Sequence, residues 1–162
     1  MWGRRKRNTL HAGETAPGFI LKSLSGGQTS FSEMLAKGPA LLVFFKIGCP
    51  VCQLTFPFLE RMAANQVIPI SAISQDEAGP TAKFNERFGI TFETLLDSSK
   101  EGYPVSNAYG ISSVPSFFLV EQDGRISKAF QGFCKRDLEE LGSRMGFAPF
   151  RPDEKVPEFK PG

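Results

Sequence analysis

At 162 residues and 17.8 kDa, with 41% apolar residues, the chain can bury one hydrophobic core and is short for two. Its formal charge of +2 is concentrated, because Arg4, Arg5, Lys6 and Arg7 hold four of the 19 basic residues; the remainder is slightly acidic, which argues against a nucleic-acid surface. No apolar stretch approaches the roughly 18 residues of a membrane span, and the basic cluster runs into Asn8-Thr9-Leu10-His11 instead of an apolar signal core. The expectation is a cytoplasmic monomer without a membrane partner; a chain trimmed of an export signal would read the same and belong to the periplasm. Three cysteines, two of them in Cys-x-x-Cys, fit redox or metal chemistry better than the evenly spaced framework of a small disulfide-rich fold.

Taken in order, residues 1–12 are polar and basic and read as a flexible arm, with Trp2 incidental. Phe19 to Leu24 and Thr29 to Phe31 form a hairpin around Ser25-Gly26-Gly27-Gln28. A brief helix follows with Ser32 as N-cap, ended by Lys37-Gly38-Pro39. Ala40 to Phe45 is too short for a typical helix and too continuous for a half-exposed strand, so it reads as a strand buried on both faces. From Pro50 to Ala64 the apolar residues Val51, Leu54, Phe58, Leu59 and Met62 recur at helical spacing, and Pro50 suits a first helical position. Pro57, eight residues after Cys49, should kink that helix.

The stretch Val67 to Ile73 supplies the next strand, with regular pairing from Ile70 because Pro69 has no N–H to donate. The resulting strand, helix, strand unit has a helix long enough for a parallel crossover. Beyond it lie a helix over 79–88, a short strand over 92–96, a polar loop at 97–102 and a short helix over 105–109. Ser116 to Glu121 and Arg125 to Gln131 flank Asp123-Gly124, a hairpin signal. A helix over 135–145 ends at Gly146, giving a domain over 13–146 and an extended Pro-rich tail over 147–162.

The chemistry concentrates where the buried strand stops. Cys49 would sit at a helix N-terminus, whose unpaired N–H groups carry partial positive charge and favour a thiolate. Gly48 leaves its sulfur approachable, and Cys52, one turn later and more buried, is placed to resolve a mixed disulfide. Lys46 reads either as a cation favouring the Cys49 thiolate or as a strand-end lysine reaching water.

This order of elements, together with Cys49-Pro50-Val51-Cys52, Pro57, Val114-Pro115 and Gly132, resembles the thioredoxin superfamily. The stretch between Cys49 and Pro115 is longer than in plain thioredoxins by a segment that here holds Gln75 to Lys100. That segment, the N-terminal hairpin and Gly-Glu-Thr-Ala-Pro-Gly-Phe at 13–19 look like the branch of TlpA- and ResA-type thiol-disulfide oxidoreductases related to alkyl hydroperoxide reductase and thiol-specific antioxidant proteins. The resemblance spans roughly residues 13–145. It implies an α/β fold, a thioredoxin-like three-layer α/β/α sandwich with a central mixed β-sheet and an insertion before the cis-proline strand. It also implies a redox-active Cys49–Cys52 disulfide without a cofactor, protein or small-molecule disulfides as substrates, and an upstream thiol reductant. Val114 would offer its backbone to substrate, Pro115 in cis would shape the groove, Gly132 would close it, and Phe133 would line it. Two departures stand out: thioredoxins bury an aspartate where this chain has Val43, and ResA-like proteins carry a glutamate where it has Thr55.

With both carboxylates absent, Asp76 and Glu77 are the nearest candidates to take the Cys52 proton, against a reading as a solvated loop pair. Cys134 opens the last helix beside Gly132, as a third redox thiol or as a spectator. Two other functions compete. A peroxiredoxin-like peroxidase would require polarising groups before its cysteine, where this chain has Lys46 and Leu42. A zinc or protein-binding module without catalysis would have to complete four metal ligands with Cys134 and His11, and the expectation is that no metal is bound.

Overall fold

The computed structural model describes residues 8–65 and 67–162. Trp2 and the basic cluster at 4–7 lie outside the described residues.

Strand β3 (Ala40–Phe45) organises the sheet, and all six of its residues are fully buried. It pairs in parallel with β4 (Ile70–Ser74), with Leu41 opposite Ile70 and Phe45 opposite Ser74. Helix α2 (Pro50–Ala63) makes the crossover between them. On its other side β3 pairs antiparallel with β6 (Ser116–Val120), which pairs with β7 (Ile126–Gln131). The hairpin of β1 (Ile20–Ser23) and β2 (Gln28–Ser30) joins through β5 (Glu93–Leu96), giving the order β2-β1-β5-β4-β3-β6-β7. The segment Gln75 to Lys100 thus contributes a sheet strand and helix α3 (Ala78–Phe88), and a short helix α4 (Pro104–Ala108) follows it.

Alternation along β3 builds two core layers. Phe45 meets Phe56 of α2 at 4.5 Å and Phe84 of α3 at 5.2 Å between ring centroids, while Phe44 faces the other way onto Tyr109 and Phe118. Each such ring, fully buried, stabilises the fold by about 1.5–3 kcal/mol. The same burial offsets the roughly 3 kcal/mol that a mid-helix proline costs. Helix α2 runs through Pro57 to Ala63 with Phe56, Leu59 and Met62 inward.

Two expectations need correction. The N-cap of helix α1 (Phe31–Ala36) is Ser30, whose Oγ accepts the Glu33 N–H at 3.4 Å, and not Ser32. Both serines are chemically suitable, and the register is settled by Phe31, which is buried at the first helical position. The described part of the N-terminal arm is tied down: Leu10 N–H bonds Tyr109 O at 3.1 Å and Thr9 Oγ1 donates to Gly110 O at 2.6 Å. The tail over 147–162 is extended, but it lies against the domain. After helix α5 (Lys135–Met145) it returns so that β9 (Phe159–Lys160) pairs antiparallel with β8 (Phe133–Cys134).

Candidate active site

Cys49 is the N-cap of α2. Its Sγ accepts the Cys52 N–H at 3.1 Å, so the sulfur itself satisfies one of the helix's orphan donors. Its own N–H bonds Lys46 O at 3.2 Å, closing the turn that leaves β3. Gly48 and Pro50 flank it at the exposed surface, and Cys49 is half-buried between them. Across from it, the thiol donates to Val114 O at 3.4 Å, and the Val114–Pro115 bond is cis. Gly132, at φ +75°, donates its N–H to Pro115 O at 2.9 Å. Residues far apart in the chain therefore form one continuous backbone edge beside the Cys49 sulfur.

Beneath it, Cys52 is fully buried. Burial pushes its thiol well above the ordinary range, and the neighbouring Cys49 sulfur pushes it further the same way. Val43 and Thr55 are fully buried too, and the Thr55 hydroxyl donates to Val51 O at 2.6 Å, one turn back in the same helix. Both positions are therefore neutral in this chain.

Asp76 is bonded into the turn that precedes Cys49. Its Oδ2 accepts the Ile47 N–H at 2.8 Å, while Gln53 Nε2 donates to Ile47 O at 2.9 Å. The peptide groups on both sides of Ile47, two residues before Cys49, are thereby clamped between the end of β4 and the first turn of α2. Glu77 is engaged elsewhere, as N-cap residue of α3 with its carboxylate 3.9 Å from exposed Lys100. Nothing in the sequence marks Gln53, because a single half-buried glutamine in an amphipathic helix carries no distinguishing pattern.

Lys46 serves through its backbone carbonyl, and its side chain is exposed. Phe133 does not line the groove with its ring as expected; the ring is fully buried, against Phe150 at 5.7 Å and Phe58 at 6.1 Å, and only its backbone reaches the edge. Cys134 is half-buried as the N-cap residue of α5, its thiol pushed up by burial and then by Asp137. Among the described residues, no three His, Cys, Asp or Glu side chains cluster as metal ligands. Among the same residues, no helix is long and apolar enough to cross a membrane.

Comparison with known proteins agrees with this geometry. The profile of the AhpC/TSA family matches residues 12–129. The thiol-disulfide oxidoreductase ResA of Halalkalibacterium halodurans is 32% identical over 138 residues, covering 83% of this chain and 76% of that protein. ResA of Geobacillus thermodenitrificans is 29% identical over 140 residues, covering 83% and 78%. In fold, the thioredoxin domain of a thiol-disulfide oxidoreductase from Bacteroides vulgatus superposes with a TM-score of 0.74 at 21% identity, covering 84% of this chain and 98% of that one. With a buried strand feeding a dithiol at a helix start and a cis-proline edge across from it, the chain belongs to the AhpC/TSA family, with the thiol-disulfide oxidoreductases of the ResA kind.

Proposed function

We propose that this protein exchanges disulfides with polypeptide substrates, with Cys49 as the attacking thiol and Cys52 as the resolving one. The observation that carries the reading is the pairing of a half-buried sulfur at a helix start, 3.4 Å from the Val114 carbonyl, with a fully buried partner thiol one turn below. In the reductive direction the Cys49 thiolate attacks one sulfur of the substrate disulfide. A Cys49–substrate bond forms, and the other substrate sulfur leaves as a thiolate and takes up a proton. Cys52 then loses its proton and attacks the Cys49 sulfur, forming Cys49–Cys52 and releasing the second substrate thiol. The substrate gains two electrons and two protons, and the dithiol loses them; an upstream thiol reductant restores it. The reverse sequence oxidises a substrate dithiol.

The proton from Cys52 has no buried carboxylate to receive it, since positions 43 and 55 are Val and Thr and Asp76 is bonded to the Ile47 amide. Solvent is the acceptor in this reading, which makes resolution the slower half-reaction. Reduction of insulin disulfides tests the roles: Cys49→Ser should lose activity by more than about a thousandfold, and Cys52→Ser should accumulate a mixed disulfide visible by mass. Turnover surviving in Cys49→Ser would reject the assignment.

A further inference from the structure

From Pro149 the chain turns back across α2 toward the active site. The Arg61 guanidinium holds it there, donating to the two Glu154 carboxylate oxygens at 2.7 and 3.0 Å and to Pro149 O at 3.2 Å. Phe150 packs on Phe58 at 4.9 Å, and Val156 is half-buried against the core. Beyond Pro157 the character of the contacts changes. Residues 158–162 are all exposed, Phe159 at 55%, and backbone bonds hold them: Glu158 O accepts the Lys135 N–H at 3.0 Å, Cys134 pairs with Phe159, and Phe133 pairs with Lys160. The Lys135–Glu158 ion pair at 3.6 Å has its carboxylate exposed to solvent and adds little.

This exposed segment ends on the active-site edge. A Cβ on Gly132 would meet Lys160 O at 2.5 Å, and a Cβ on Gly162 would overlap the Val114 carbonyl. That carbonyl is the atom 3.4 Å from Cys49 Sγ. An open strand edge accepts an extended polypeptide through backbone bonds, and here the chain's own residues make that addition. One edge takes one strand at a time.

We infer that residues 158–162 are a resident strand that polypeptide disulfides must displace to reach Cys49, so that the site is held back toward extended substrates and open to small disulfides. This rests on the dithiol reading above. The strand is built for displacement: it buries no side chain, and its ladder is two residue pairs long. The clasp at Arg61 keeps the freed strand close, so that it returns as an intramolecular competitor. The clasp itself is not a neutral-pH switch. Arg61 holds the Glu154 carboxyl down to about 2, so the ion pair persists above the ordinary carboxylate range and weakens only as pH falls toward that value.

The test compares the full chain with one ending at Pro157, which keeps the Arg61–Glu154 clasp and the Val156 packing and removes exposed residues alone. A second variant, Gly162→Val, keeps the full length and lifts the strand end from Val114. Each is assayed for kcat/KM on insulin and on a small aromatic disulfide. A strand closed about nine-tenths of the time predicts roughly tenfold faster insulin reduction by the shortened chain, with the small disulfide changed less than about twofold. Gly162→Val should move in the same direction. Unchanged or lower insulin activity in both variants would overturn the inference while leaving the dithiol reading intact. Inactivity of every form on both disulfides would instead reject the dithiol reading. In the Cys52→Ser mixed disulfide with a polypeptide, amide exchange should show Lys160 unprotected, and retained protection would count against displacement.

Discussion

Two sides of one groove are built by opposite means. On the α2 side, Cys49 follows a fully buried strand, its amide is bonded to Lys46, and the Ile47 peptide groups are clamped by Asp76 and Gln53. On the tail side, residues 158–162 are exposed and attached through backbone bonds to Phe133, Cys134 and Lys135. Buried packing and paired polar groups give a position that is costly to move, whereas a short exposed ladder opens with little loss. The Cys49 sulfur is therefore fixed, while access to it, in the proposed displacement, is conditional.

After removal of Cys49 itself, the largest effect should come from supplying the missing base on the fixed side. Position 55 lies three residues after Cys52 on the same helix and is fully buried. Thr55→Glu should accelerate breakdown of the mixed disulfide by about a hundredfold at neutral pH, the lower range of general-base catalysis, at a stability cost of about 3 kcal/mol for the buried carboxyl. Single-turnover kinetics and thermal melting measure the two, and an unchanged resolving rate would mean that proton removal does not limit it.

The pH dependence comes next. Because burial raises the Cys52 thiol above its ordinary value, its thiolate fraction should rise about tenfold per pH unit through the neutral and mildly alkaline range, and the resolving rate with it. Stopped-flow measurement from neutral pH upward checks this, and a flat profile would contradict it. In Thr55→Glu the slope should flatten.

Loosening the clamp has a smaller effect and separates the two sides of the groove. Asp76→Ala leaves the part-buried Ile47 N–H without its acceptor and should cost about 1–2 kcal/mol of stability. It should lower kcat/KM several-fold, on polypeptide and small disulfides alike, because the displaced group is Cys49, the attacking thiol of the proposed exchange. A change confined to polypeptides would place Asp76 on the access side instead. Smallest of all, Glu154→Gln removes the charge that pairs with Arg61 and should raise the ratio of polypeptide to small-disulfide activity by about twofold. No change in that ratio would mean that the packing of Phe150 and Val156 anchors the tail without the ion pair.

Much of this was legible beforehand for identifiable reasons. Ala40 to Phe45 declared itself by a continuous apolar run, the helix over 135–145 by its periodicity and its glycine, and the pairing start at Ile70 by Pro69. Cys49, Cys52, Pro115 and Gly132 were singled out in advance, and the fold brings Cys49, Pro115 and Gly132 to one edge with Cys52 beneath. Asp76 was noticed as an acid near the site, yet its bond to Ile47 joins residues 29 apart and leaves no local pattern. Phe133 was placed in the groove by its neighbour Gly132, and burial between Phe58 and Phe150 overruled that. The tail was legible least, since prolines and charges predict an extended backbone but say nothing about what that backbone lies against.

The sequence by itself determined the strand, turn and helix that present Cys49, because hydrophobic burial and helix capping act over a few neighbouring residues. It also determined that positions 43 and 55 are neutral. Tertiary structure alone decided that Val114, Gly132 and residues 159–162 share one edge, and that Ile47 is held from both sides. In each contact at least one partner is a backbone group of a distant segment or loop, approached closely along the edge and bonded by the Asp76 and Gln53 side chains at Ile47, and a backbone group carries no residue-type signature from which a partner can be read.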